Sequence, residues 1–124
     1  MKLAIVGSRS FSDYEFMKKI LAFHSCTQII SGGAKGADTL AKQYAGENGI
    51  SITEFLPNWD RDGKAAGFIR NKQIVNACDE LVAFWDGESR GTAHSIKLAE
   101  EAGKPIYKYW PTDSEEDLFE GIGI

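Results

Sequence analysis

Short apolar runs alternate with segments of helical periodicity along most of this chain. Lys2–Gly7 (KLAIVG) is continuously apolar after its first residue and closes on a glycine, which predicts a strand buried on both faces. Tyr14, Met17, Ile20, Leu21 and His24 then recur at helix spacing. Thr27–Ser31 (TQIIS) predicts a second strand. Ala37, Leu40, Ala41, Tyr44 and Ala45 form a stripe of mostly small residues on one face of a second helix. Ile50–Phe55 alternates as a third strand, ended by Pro57, and residues 63–76 read as one helix. Asp79–Trp85 (DELVAFW) predicts a fourth strand. Gly91–Ala102 predicts a helix stopped by Gly103, and Pro105–Trp110 a fifth strand.

Strand alternating with helix in this way implies an α/β fold with a mainly parallel five-stranded sheet and helices on both faces. Right-handed crossovers give a single doubly wound, Rossmann-like domain of strand order 3-2-1-4-5. Its core spans about residues 3–110 and a short acidic tail covers residues 111–124, read either as a helix from about Ser114 or as a frayed end. With 124 residues, 43% of them apolar and 26% charged, the chain fits one ordinary globular unit.

The net charge of −4 argues against phosphate-driven nucleic-acid binding. No apolar run is long enough for a membrane helix, and the N-terminus is too short for a signal peptide. Cys26 and Cys78 stand apart without a ligand partner at metal spacing, and His24 and His94 are the only histidines. Reduced thiols, a cytoplasmic location and no metal or cofactor are expected. The small-residue stripe at Ala37–Ala45 is compatible with close helix packing, so self-association is expected too.

In a doubly wound sheet, ligands sit beyond the carboxyl ends of the strands. The segments that follow the strands there, GSRSF, SGGAKGAD, LPNWDRDGKAAG and WDGESRGT, carry most of the chain's thirteen glycines together with Arg9, Lys35, Lys64 and Arg90. Bare backbone ahead of a helix suits an anion. Candidate ligand-binding residues are therefore Gly7, Ser8 and Arg9 in the first loop, and Ser31, Gly32, Gly33, Ala34, Gly36 and Asp38 in the second. The third contributes Trp59 and Lys64. The fourth contributes Asp86, Gly87, Ser89, Gly91 and Thr92. Asp38 and Thr92 also read as helix caps, and Phe11, Trp59 and Trp85 as aromatic platforms at the site edge. A P-loop is excluded because Asn58 and Ala65 stand where its glycine and hydroxyl residue belong. A dinucleotide fingerprint is excluded because the first turn offers Gly7 alone.

Taken together, IVGSR, SGGAKGAD, FIRNKQIV and GESRGTAHSIKLA resemble the SLOG superfamily, named for the Smf/DprA and LOG proteins, and in particular its small single-domain YspA-like branch. The resemblance runs from about Leu3 to Tyr107. It implies a Rossmann-like domain that binds a nucleotide or nucleotide-derived small molecule at the strand ends, and it adds Arg70 and Asn71 of the RN pair to the site. The LOG branch hydrolyses the N-glycosidic bond of nucleoside 5'-monophosphates with an arginine, matched by Arg70, and a glutamate whose position falls on Ser95. An oxocarbenium-like transition state needs a carboxylate, so Asp38, Asp86 or Glu88 would have to replace it. The DprA branch binds single-stranded DNA and is similar at Gly7–Arg9, Ser31–Asp38 and Arg70-Asn71. The favoured expectation is a sensor or binding module without turnover. LOG-like hydrolysis and nucleic-acid binding are the alternatives.

Overall fold

The computed structural model describes residues 1–111, so the tail expected beyond them lies outside the described residues. Strands β1 (Lys2–Gly7), β2 (Gln28–Ser31), β3 (Ser51–Glu54), β4 (Glu80–Phe84) and β5 (Ile106–Tyr109) form one parallel sheet in the order β3-β2-β1-β4-β5. The central strands β1 and β4 read as near-continuous apolar runs because both faces are covered. Alternate residues feed two separate cores. Leu3 and Ile5 of β1, Ile29 of β2 and Val82 and Phe84 of β4 pack under α1 (Tyr14–Leu21) and α2 (Ala37–Glu47). Ala4, Val6, Ile30, Leu81 and Ala83 pack on the other side. Their helices are α4 (Ala66–Ala77) and α5 (Arg90–Glu101), which contribute Ile74, Val75, Ile96 and Ala99. Each fully buried aliphatic side chain contributes roughly 1.5–3 kcal/mol, so this two-sided burial dominates the stability of the sheet. No helix among the described residues is long and apolar enough to cross a membrane.

Several boundaries differ from the sequence pattern, each for a local reason. The first helix stops at Leu21. Phe23 and His24 instead close tight turns by donating to Ile20 and Leu21 carbonyls, which leaves His24 outside it. The single helix expected over 63–76 is broken. The Asn58 side chain caps a one-turn helix, α3 (Trp59–Asp62), by accepting from the Arg61 N–H at 3.0 Å. A 3₁₀ turn over Gly63–Ala65 follows before α4 begins. Asp38 is not a cap: α2 begins at Ala37 with Gly36 as its cap residue, and Asp38 lies in the first turn. Nor is Thr92, since the Ser89 side chain caps α5. The small-residue stripe is spent internally, with Ala37, Ala41 and Ala45 buried against the protein's own sheet. That removes the argument for self-association from it.

One lysine closes the far end of α4. Lys104 Nζ donates to the carbonyl oxygens of Val75 at 2.6 Å, Asn76 at 3.3 Å and Cys78 at 2.5 Å. These are carbonyls that a helix C-terminus leaves without partners, and the ammonium also opposes the negative end of the helix dipole. Lys104→Met is expected to lower stability by about 1–2 kcal/mol in urea unfolding. A smaller loss than a few tenths would show that water replaces the ammonium. The cap glycine of α2 and a glycine within it are expected to respond oppositely to alanine. Gly36 holds φ +77° against the Ser8 and Arg9 carbonyls, whereas Gly46 faces open space inside the helix. Gly36→Ala should lose more than about 2 kcal/mol, and Gly46→Ala should gain about 0.5–1 kcal/mol, both read from the same unfolding curves.

Candidate functional site

The carboxyl ends of β1, β2 and β4 open into a cavity of about 340 Å³. Ser8, which is fully buried, joins the loops around it. Its N–H donates to the Phe84 carbonyl at 2.9 Å and its Oγ accepts from the Asp86 N–H at 3.2 Å. Its carbonyl accepts from Phe11 at 3.1 Å and from Ala37 at 3.4 Å. One residue therefore ties the β1 loop to the β4 loop and to the start of α2.

The glycine-rich turn after β2 has a different use from the expected one. Space above Gly32 is filled by Arg70, whose Nη1 would stand 2.5 Å from a β-carbon there. That nitrogen donates to the Gly32 carbonyl at 2.8 Å, and Arg70 Nε donates to Asn71 Oδ1 at 3.0 Å. Gly36 lies against the β1 loop. These glycines admit parts of the protein's own chain, and the space for a ligand lies beyond them.

Two buried or looped carboxylates organise the amides. Asp38 Oδ2 accepts from the Ala34 N–H at 3.0 Å. Burial pushes the Asp38 pKa above its ordinary value, against the pull of the Ala34 amide, of Arg70 and of Ser31. Asp86 Oδ1 accepts from the amides of Glu88 at 2.8 Å and Ser89 at 2.9 Å, and those bonds hold its pKa below the usual range. Both carboxylates thus use oxygens on the loops' own N–H groups. Arg9 and Arg70 both line the cavity, and neither has a carboxylate within 4.0 Å among the described residues. Burial lowers the Arg70 pKa, Asp38 opposes that and the positive charge of Arg9 adds to it. Two cations therefore face one concavity without a carboxylate in ion-pair contact among the described residues.

The cavity brings together Gly7, Ser8, Arg9, Ala34, Asp38, Arg70, Asn71, Asp86, Ser89, Gly91 and Thr92. Ser31 is buried without lining it, and Gly32, Gly33 and Gly36 stand behind or beside the wall. Lys64, Gly87 and Glu88 are exposed and do not line it, and Trp59 is exposed on α3. Phe11 is no platform at the edge: it is buried and stacked on Phe84 with ring centroids 4.8 Å apart. Trp85 is half-buried and donates its indole N–H to the Ser89 carbonyl at 3.1 Å. Ser95, which takes the place of a family glutamate, does line the cavity, with its Oγ donating to the Gly91 carbonyl at 3.3 Å. Val6 and Ile74 form apolar parts of the wall that sequence reasoning missed. Their signal was available, since Val6 is the last side chain of β1 before Gly7 and Ile74 lies one turn beyond Arg70. Asn71 Nδ2 also stands 3.2 Å from His94 Nδ1, so the imidazole braces the amide that holds Arg70. Among the described residues no cluster of His, Cys, Asp or Glu could hold a metal ion.

The sequence model of the YspA, cpYpsA-related SLOG family matches residues 1–61. The Gene 61 protein of Mycobacterium phage D29 is 34% identical over 119 residues, an alignment that covers 87% of this chain and 95% of the phage protein. The chain belongs to the SLOG class of Rossmann-like proteins, and within it to the YspA-related family. Among solved structures it is similar to DNA processing protein A (DprA) from Streptococcus pneumoniae, with a TM-score of 0.75 and 24% identity. That match covers 97% of this chain and 53% of the other, so the chain spans about half of that protein's length. It is also similar to DprA from Helicobacter pylori, a protein with a single-stranded DNA binding mode, at a TM-score of 0.69 and 21% identity. The match covers 97% of this chain and 72% of that one. Likeness at these identities establishes the shared fold.

The raised Asp38 pKa has a definite sign. The unfolded residue titrates near its ordinary 3.8 and the folded one higher, so the folded protein holds this proton more tightly. Its contribution to stability therefore declines as pH rises from 3.8 through the raised value and is level above it. Asp38→Asn keeps an acceptor for the Ala34 amide and is expected to abolish that decline, measured as urea unfolding free energy from about pH 3.5 to about pH 7. An unchanged slope would assign the titration to another group.

Proposed function

We propose that this domain binds a phosphate-bearing, nucleotide-type ligand in the strand-end cavity and does so without turning it over. The observation that carries the reading is the pair of guanidinium groups, Arg9 and Arg70, facing one cavity without a carboxylate within 4.0 Å among the described residues. A guanidinium has five N–H donors, and Arg70 uses two of its own on Gly32 and Asn71, which leaves three for a ligand. The start of α5 reinforces this. Arg90 and Gly91 occupy first-turn positions whose amides have no intrahelical acceptor, and Gly91 lines the cavity.

Binding without chemistry is favoured by the carboxylates. Glycoside cleavage needs one free to face the sugar. Asp38 and Asp86 each commit an oxygen to backbone amides, Glu88 is exposed and does not line the cavity, and Ser95 donates to a backbone carbonyl. A longer ligand is a second reading with its own support. Trp59, whose ring lies by Gly67, and Phe68 on α4 are 57% and 61% exposed, and exposed rings offer stacking faces to the bases of a single strand.

The test is thermal shift against nucleoside monophosphates, dinucleotides and cyclic nucleotides. A ligand at one hundred times its Kd stabilises the protein by about 2.7 kcal/mol. Arg9, which is exposed, is the informative position. Arg9→Ala should weaken binding by roughly ten- to a hundredfold while leaving the unliganded Tm unchanged. Unaltered affinity in that variant would defeat the reading. Release of free base from a monophosphate would show turnover. Oligothymidylate binding that strengthens with length and falls steeply with salt would favour the single-strand reading.

A further inference from the structure

A second hollow, of about 360 Å³, lies at the opposite end of the sheet from the strand-end cavity. It is lined by Met1, by Phe23, His24 and Ser25 of the turn after α1, by Glu80 at the start of β4, and by Tyr107 and Tyr109 of β5. The register explains why these side chains meet. Glu80 shares a face of β4 with Val82 and Phe84, and those two residues stand opposite Tyr107 and Tyr109 on β5. Helix α1 is only eight residues long, so the chain turns back at Phe23–Ser25 rather than covering the lower part of this face.

The walls are aromatic and fixed. The His24 ring meets Tyr107 edge to face, with centroids 4.9 Å apart and planes at 67°, and its Nε2 stands 3.1 Å from the Tyr109 hydroxyl. Phe23 adds a ring that is 62% exposed. Glu80 supplies the only carboxylate of the lining, half-buried, with no lysine or arginine within 4.0 Å among the described residues. The ammonium of Met1, which also lines the hollow, donates to Thr27 Oγ1 at 3.1 Å. Burial also holds the His24 pKa below its ordinary value, so the imidazole does not itself neutralise Glu80 at neutral pH. An anion is repelled by Glu80. An uncharged apolar guest would leave the carboxylate desolvated and unpaired.

We propose that this hollow binds an organic cation, an alkyl- or quaternary ammonium group, with the rings of Phe23, His24 and Tyr107 around it and Glu80 as its counter-ion. Ring faces attract ammonium groups through their quadrupoles, and more strongly where water is displaced. The volume admits such a head with several attached heavy atoms. The site is separate from the strand-end cavity and stands whether or not a nucleotide binds there.

The probe is choline, compared with its neutral isostere 3,3-dimethylbutan-1-ol, by calorimetry and by NMR of the His24 and Tyr107 ring protons. Choline is expected to bind and shift both sets of resonances, with the neutral alcohol roughly tenfold or more weaker. Glu80→Gln and Tyr107→Leu should each weaken choline binding by a similar factor, and the Tm of each unliganded variant checks that it is folded. Equal binding of the two probes, no binding of choline, or full affinity in folded Glu80→Gln would each overturn the proposal. Phosphatidylcholine vesicles replace free choline in a parallel arm. Co-sedimentation with vesicles marks a lipid headgroup as the source of the cation, and binding of choline alone marks a dissolved amine.

Discussion

A half-buried guanidinium has to be hydrogen-bonded, and the way Arg70 meets that demand shapes the whole strand-end cavity. Its Nη1 reaches across from α4 to the Gly32 carbonyl in the loop after β2, while Nε is held by the neighbouring Asn71 side chain. That reach is possible because residue 32 has no side chain: a β-carbon there would stand 2.5 Å from the guanidinium. A single cation thus pins a helix on one face of the sheet to a loop at its edge. In doing so it places a positive charge, still with donors to spare, on the cavity wall.

Around that cation the loops are organised by their own acids. Asp38 and Asp86 accept amides that would otherwise be open to an external anion. The pocket is consequently not a ring of bare N–H groups. It is a polar concavity in which internal carboxylates settle the loop backbones and the guanidiniums of Arg9 and Arg70 make no direct ion pair among the described residues. Ser8 completes the arrangement by joining the β1 loop, the β4 loop and α2 through one buried residue. The lining sets two guanidiniums beside two carboxylates, so the cavity is a mixed-charge site rather than a uniformly positive patch in a protein with a net charge of −4.

The two ends of the sheet carry different chemistry on one scaffold. The carboxyl end collects glycines, arginines and a helix start, as open parallel sheets generally do at their ligand edge. The opposite end collects aromatic rings and an unpaired carboxylate, because the short first helix leaves part of β4 and β5 uncovered. The parallel topology accounts for the first of these, and the short α1 for the second.

How much was legible beforehand follows from the range of the forces involved. Hydrophobic period is local, so the five strands, their order 3-2-1-4-5 and the strand ends at which the candidate residues lie could be read from runs such as KLAIVG and ELVAF. Arg9, Arg70, Asn71 and Asp86 could be nominated because topology assigns their segments to one edge, the RN pair with help from family resemblance. Which of these residues meet is a question of distance, and only tertiary packing answered it. Sequence could not show that Gly32 makes room for Arg70 rather than for a ligand, or that Asp38 holds a loop amide rather than capping α2. Nor could it show that Phe11 stacks on Phe84 in the core, or that Glu80 shares a hollow with Tyr107 of the neighbouring strand. Except for the local bond from Ala34 to Asp38, those outcomes turn on contacts between residues far apart in the chain, where a few tenths of an ångström decide which group occupies the space.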